Sequence, residues 1–157
     1  MASKKRYKIP GLNINSKYKS ASSLVIQEKL RQIFKEIDKF FIDDSTENLH
    51  SLRIAFRRFR YVMEIFQQCV ETKLFDEVYN LAKNMQDLIG EGRDLDVMEI
   101  KVGLLEKETN KKVPKYFYKK ISEEKNKIRR NIKTELINFM INKEINKILL
   151  NKKARAI

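Results

Sequence analysis

The chain has 157 residues, enough for one domain with a real hydrophobic core. Its apolar fraction is 42%, Gly (4) and Pro (2) are scarce, and Trp is absent, a mix that suits helices and leaves little turn punctuation for a sheet. One cysteine, Cys69, excludes an internal disulfide framework and a cysteine zinc site, and the formal net charge of +13 favours a polyanionic partner.

That charge is unevenly spread. Residues 1–20 carry six Lys/Arg and no acid, and residues 107–157 carry sixteen Lys/Arg against five acids. Residues 21–106 carry twelve Lys/Arg against sixteen acids, so the middle is slightly acidic. The first twenty residues read as a basic arm with a turn at Pro10-Gly11, and residues 151–157 as a basic tail. The N-terminus lacks the apolar run of a secretory signal, and no segment approaches the ~20 apolar residues of a membrane span. The expectation is a cytoplasmic protein.

Between arm and tail, residues 21–150 carry helical patterns. Residues 22–42 place Ile26, Leu30, Ile33, Ile37 and Phe40 at alternating steps of four and three. Ser45 or Thr46 is positioned to cap a second helix over 47–69. A third follows over 72–89, and the "GEG" at 90–92 is expected to end it. Asp94 then caps a fourth helix to about Lys107. A loop closed by Pro114 leads to a long fifth helix from Lys115, bending near Asn142 into a short sixth. No strand pattern competes. The predicted fold is all-α, an antiparallel bundle of about five to six helices.

The second helix holds the chain's one histidine and four arginines in "HSLRIAFRRFRY" (50–61). On a helical wheel Leu52, Phe56, Phe59, Met63 and Phe66 form the core face. His50, Arg53, Arg57 and Arg60 form a separate stripe beside it, while Arg58 falls away. Adjacent cations in such a row repel by a few tenths (~0.2–0.5) of a kcal/mol per pair, and no acid joins the stripe until Glu64. Arginine in place of lysine suits bidentate recognition of phosphate or carboxylate oxygens. The bland alternative is pairing with Asp87, Glu91, Asp94 or Asp96 on a neighbouring helix.

About thirty residues later comes "LIGEGRDLDVMEI" (88–100). His50-x-x-Arg53-x-x-x-Arg57-Arg58-x-Arg60 followed by Ile89-Gly90-x-x-Arg93-Asp94-Leu95-Asp96-Val97 resembles the CHAD family, the conserved histidine α-helical domain. The resemblance implies a compact helical fold that binds inorganic polyphosphate without catalysis, in the cytoplasm or at polyphosphate granules. It carries the phosphate-binding roles onto His50, Arg53, Arg57, Arg58 and Arg60, with Arg93 as a second wall. Family members are usually built of two similar halves around a basic channel. Residues 20–150 look like one half, with no second "H-x-x-R-x-x-x-[RK]-x-x-R" downstream, so either the second half is missing or a homodimer supplies it.

Asp94 and Asp96 read as structural, capping a helix or holding an arginine. On the fifth helix Lys125 falls within the apolar face with Arg129 and Lys133 along its edge. These three are expected to line the same channel, or else to run their stems past the core. Arg31, Lys35 and Lys39 lie opposite their helix's apolar face and read as solvated. A metal site, a cofactor and an active site are not expected: there is no second His, no Gly-rich phosphate loop and no activated nucleophile. The competing reading is a basic helical nucleic-acid binder, supported by charge but by no motif or exposed aromatic array.

Overall fold

The computed structural model describes residues 8–150. The basic residues 1–7 and the tail 151–157 lie outside the described residues. Five α-helices follow in order: α1 (Tyr18–Ile42), α2 (Thr46–Ile65), α3 (Thr72–Thr109), α4 (Lys115–Ile141) and α5 (Lys143–Leu150), with a 3-10 turn at Gln67–Cys69. No strand occurs among the described residues.

The apolar spacings act as the sequence suggests. Ile26, Leu30, Ile33, Ile37 and Phe40 of α1 are buried against Leu49, Leu52, Phe56, Phe59 and Met63 of α2 in one continuous core. Phe75, Val78, Ala82, Met85 and Ile89 of α3 and Ile132, Leu136 and Phe139 of α4 complete it. The rings of Phe56 and Phe139 meet edge to face at 5.1 Å. Each fully buried phenylalanine contributes roughly 1.5–3 kcal/mol. Each helix packs on the next in sequence, and α5 folds back over α1, where Gln27 Nε2 donates to the Ile148 carbonyl at 3.0 Å.

Boundaries follow local chemistry. α1 starts at Tyr18, four residues earlier than its apolar pattern. Ser45 caps α2 by accepting from the Asn48 amide at 3.4 Å. α2 stops at Ile65, and residues 67–69 tighten into the 3-10 turn instead of extending it. α3 ends where Asn110 takes the left-handed conformation, φ 54°. Asn142 breaks α4 and caps α5, its Oδ1 accepting from the Glu144 and Ile145 amides at 2.9 and 3.2 Å.

The largest departure from expectation is at "GEG". The third and fourth predicted helices are one helix of 38 residues, about 57 Å long. Gly92 serves close approach. A Cβ on Gly92 would stand 3.2 Å from Ile132 Cδ1 and 3.3 Å from Leu49 Cδ2, tighter than ordinary contact. A Cβ on Gly90 would stand 3.8 Å from Arg53 Nε, an ordinary contact that marks Arg53 as its neighbour. Here the cost of a helical glycine, about 1 kcal/mol, admits neighbours instead of ending the helix. Asp94 therefore caps nothing. It lies exposed in mid-helix.

Candidate functional site: the arginine seam between α2 and α3

α2 and α3 run antiparallel, so successive turns of one face successive turns of the other. Arg60 reaches Gln86 Oε1 (3.2 Å) and the Tyr79 hydroxyl (2.6 Å), and its guanidinium sits 4.9 Å from the Tyr79 ring centre. Two turns toward the start of α2, Arg53 lies over Gly90. Arg93 is the next residue on that face of α3, one turn past Gly90. Tyr79, Gln86, Gly90 and Arg93 thus form the α3 wall, and Arg53 and Arg60 the α2 wall.

The electrostatics are one-sided. Among the described residues, Arg60 alone of these arginines has a carboxylate within ion-pair range, Glu64 at 3.8 Å, with the Tyr79 hydroxyl donating to that carboxylate at 2.6 Å. Among the described residues no carboxylate pairs with Arg53, Arg57, Arg58 or Arg93, so Asp87, Glu91, Asp94 and Asp96 leave the stripe unneutralised. Arg53 Nε, Arg60 Nε and Arg93 Nη1 are shielded from solvent and find no acceptor among the described residues. A shielded donor without an acceptor costs about 1–3 kcal/mol, more for a charged group. Guanidinium groups left without a carboxylate along one seam form a surface suited to an oxygen-rich anion.

The other expected residues divide by place. His50 and Arg57 stand exposed on the outer face of α2 beside the seam, one turn to either side of Arg53. Arg58 is exposed and leans toward α1. Burial, then repulsion from Arg58, holds the Lys29 ammonium below the ordinary lysine range. Arg31 and Lys39 pair with Glu28 and Glu36 on their own helix, and Lys35 is exposed.

Lys125, Arg129 and Lys133 do not line an open channel. Arg129 is 8% exposed and donates from Nη2 to both oxygens of Asp96 (3.1 Å each) and from Nε to the Asp44 carbonyl (2.9 Å). Lys125 joins Asp96 at 3.0 Å and Glu99 at 2.5 Å, and Lys133 joins the Asp44 carboxylate at 2.7 Å. Burial acts to lower the Lys125 ammonium, but the hydrogen bonds to Glu99 and Asp96 outweigh it and hold its pKa above the ordinary value. Three cations meet three carboxylates, so this cluster is neutral where the seam is not. It staples the α1–α2 turn, α3 and α4 together. Asp96, 1% exposed, is its hub.

The wheel of the second helix alone did not reach Tyr79, Gln86 or Gly90. A usable signal existed: Tyr79, Gln86, Gly90 and Arg93 follow one another at steps of seven, four and three, polar or small on a single face. Asp96 had one too, since Ile89, Gly92 and Asp96 continue the buried face of α3.

Among the described residues no His, Cys, Asp or Glu cluster could hold a metal, and no helix is long and apolar enough to cross a membrane. Neither the curated proteins nor the solved structures contain a match to this chain. The family model described as "CHAD domain" matches residues 12–102, which span α1, α2 and most of α3 and so both walls of the seam. With more than half of its length matched, on an all-α bundle carrying the arginine seam, the chain belongs to the CHAD domain family.

Proposed function

We propose that the chain binds inorganic polyphosphate, without catalysis, along the seam between α2 and α3. The observation that carries this reading is the row of guanidinium groups on Arg53, Arg57, Arg58 and Arg93, with which no carboxylate pairs among the described residues. A phosphate chain brings acceptor oxygens at every unit and neutralises a row of like charges that otherwise repel. Arg57 and His50 extend the contact onto the outer face of α2, and Arg58 supports it from the α1 side. Arg60 is held by Tyr79, Gln86 and Glu64, so it sets the rim of the seam. Lys125, Arg129 and Lys133, neutralised by Asp96, Glu99 and Asp44, make no contact with the ligand. The reading is completed by a cytoplasmic location, at polyphosphate granules, and by a homodimer that doubles the phosphate-binding surface.

The test is a titration with long-chain polyphosphate and with duplex DNA at matched phosphate, across a salt series. The triple variant Arg53→Ala/Arg57→Ala/Arg93→Ala runs beside the wild type. Polyphosphate is expected to bind more tightly at every salt, to gain with chain length, and to lose at least about tenfold in the variant, with a shallower salt slope. DNA competing evenly with a variant that binds as before would move binding to the basic termini and make the chain a nonspecific nucleic-acid binder.

A further inference from the structure

The α3 wall of the seam runs through Tyr79, Gln86, Gly90 and Arg93, and its first step, of seven residues, passes over one turn of the helix. Lys83 fills that turn. Four residues past Tyr79 and three before Gln86, it lies on the same face of α3. Tyr79 and Gln86 both accept from Arg60, so Lys83 between them stands level with Arg60 on the antiparallel neighbour. Those two side chains are half-buried while Lys83 is exposed, which puts its ammonium at the outer lip of the seam. Arg57, exposed and one turn from Arg60, holds the opposite lip.

Arg60 itself is occupied. Its Nη1 donates to Gln86 and its Nη2 to the Tyr79 hydroxyl, and the Glu64 carboxylate stands 3.8 Å away as counter-charge. A phosphate at this end of the row meets a cation whose field Glu64 already balances in part. Lys83 has no such counter-charge. Among the described residues no carboxylate pairs with it, and Asp87, one turn further along α3, stays outside ion-pair range. A lysine ahead of its acid is the weaker order for a helical pair at that spacing. A lysine ammonium also turns freely on a long stem, so it meets a phosphate oxygen without a fixed approach.

We infer that Lys83 is a further binding residue for the phosphate chain, donating from the α3 lip opposite Arg57 and supplying the net charge that Glu64 takes from Arg60. The inference rests on the proposed polyphosphate reading and adds a cation to its second wall. The ligand then lies between two lines of positive charge, Arg53 and Arg57 on α2 and Lys83 and Arg93 on α3. Positions 83 and 93 are about 15 Å apart along the helix. One orthophosphate reaches only one of them, whereas a polymer reaches both.

The experiment is a titration of the full chain with long-chain polyphosphate across a salt series, comparing Lys83→Gln with Lys127→Gln. Lys127 is exposed on α4, in the groove it shares with Glu91 and Asp94, so its loss changes the net charge equally without touching the seam. Lys83→Gln is expected to weaken binding at least about threefold more than Lys127→Gln and to lower the salt slope by about 0.7–1, one phosphate contact. Lys83→Arg should bind within about twofold of the wild type. Amine acylation of the wild type, read by mass spectrometry, is a second measure that needs no variant: saturating polyphosphate should protect Lys83 and leave Lys127 reactive. Equal losses in the two glutamine variants, or an unprotected Lys83, overturn the inference. Either result leaves the polyphosphate reading standing as long as the wild type binds and Arg53→Ala/Arg57→Ala/Arg93→Ala does not. A wild type that fails to bind overturns that reading and the inference with it.

Discussion

Replacing Arg129 separates a staple from a ligand contact. Arg129→Met keeps the stem's packing but removes both hydrogen bonds to Asp96 and the one to the Asp44 carbonyl. Breaking a buried ion pair from one side costs about 3–5 kcal/mol. Here the cost sits at the low end, because Lys125 stays 3.0 Å from Asp96. The loss of the unpartnered Arg129 Nη1 offsets about 1 kcal/mol of it. A net loss of about 2–3 kcal/mol follows. With an unfolding entropy of about 2.1 cal/mol/K per residue, the 157-residue chain loses about 6–9 °C in Tm. Urea melts of Arg129→Met, Asp96→Asn and the double variant should give a coupling near 2 kcal/mol, to order of magnitude, at an unchanged m-value. Polyphosphate affinity should stay within about twofold. A variant of wild-type stability that has lost polyphosphate would refute the staple and return Arg129 to the ligand surface.

Four further outcomes are expected. Gly92→Ala should destabilise by about 1–3 kcal/mol in chemical denaturation, because its methyl meets Ile132 and Leu49 at 3.2–3.3 Å. Gly103→Ala, where a Cβ meets nothing within 4 Å, should instead stabilise by about 0.5–1 kcal/mol in the same assay; a loss would mean that the helix is not continuous there. Glu106 is held below the ordinary carboxylate range by the Val113 amide and then by the Tyr118 hydroxyl. Its contribution is therefore complete above the unfolded pKa and fades as pH falls through the depressed folded value, so exchange of the Val113 amide should accelerate in acid in the wild type and be insensitive to pH in Glu106→Gln once intrinsic exchange is subtracted. Lys125 has the opposite sign: its raised pKa makes its ion pairs fully stabilising below the unfolded lysine value and weaker as pH climbs through the folded one, which Lys125→Met should abolish in alkaline melts.

Helix positions were legible where apolar residues repeat, because a period near 3.6 needs no knowledge of partners. That is why Ile26 to Phe40 and Leu52 to Met63 land in the core as read. "GEG" was misread because a glycine's local meaning, a weak point in a helix, is the same whether the chain turns or a neighbour approaches. Only the positions of Leu49, Ile132 and Arg53 distinguish the two. The stripe at His50, Arg53, Arg57 and Arg60 was legible as a face, while its state of pairing was not. Lys125, Arg129 and Lys133 looked equally cationic in sequence. Their neutralisation by Asp96, Glu99 and Asp44 depends on residues 26 to 89 positions away.

The order of packing also sets an order of assembly. α2, α3 and α4 each dock on their predecessor across a short loop, so much of the bundle forms as the chain lengthens. α5 is the exception. Its bond from Gln27 to the Ile148 carbonyl joins positions 121 residues apart. Seating α5 against α1 thus comes last and, being the most remote closure in the described chain, is the first to open. Cys69, Leu74 and Ile26, which line the groove beside Ile148, are therefore the residues that a thiol label or a protease should find before the bundle unfolds.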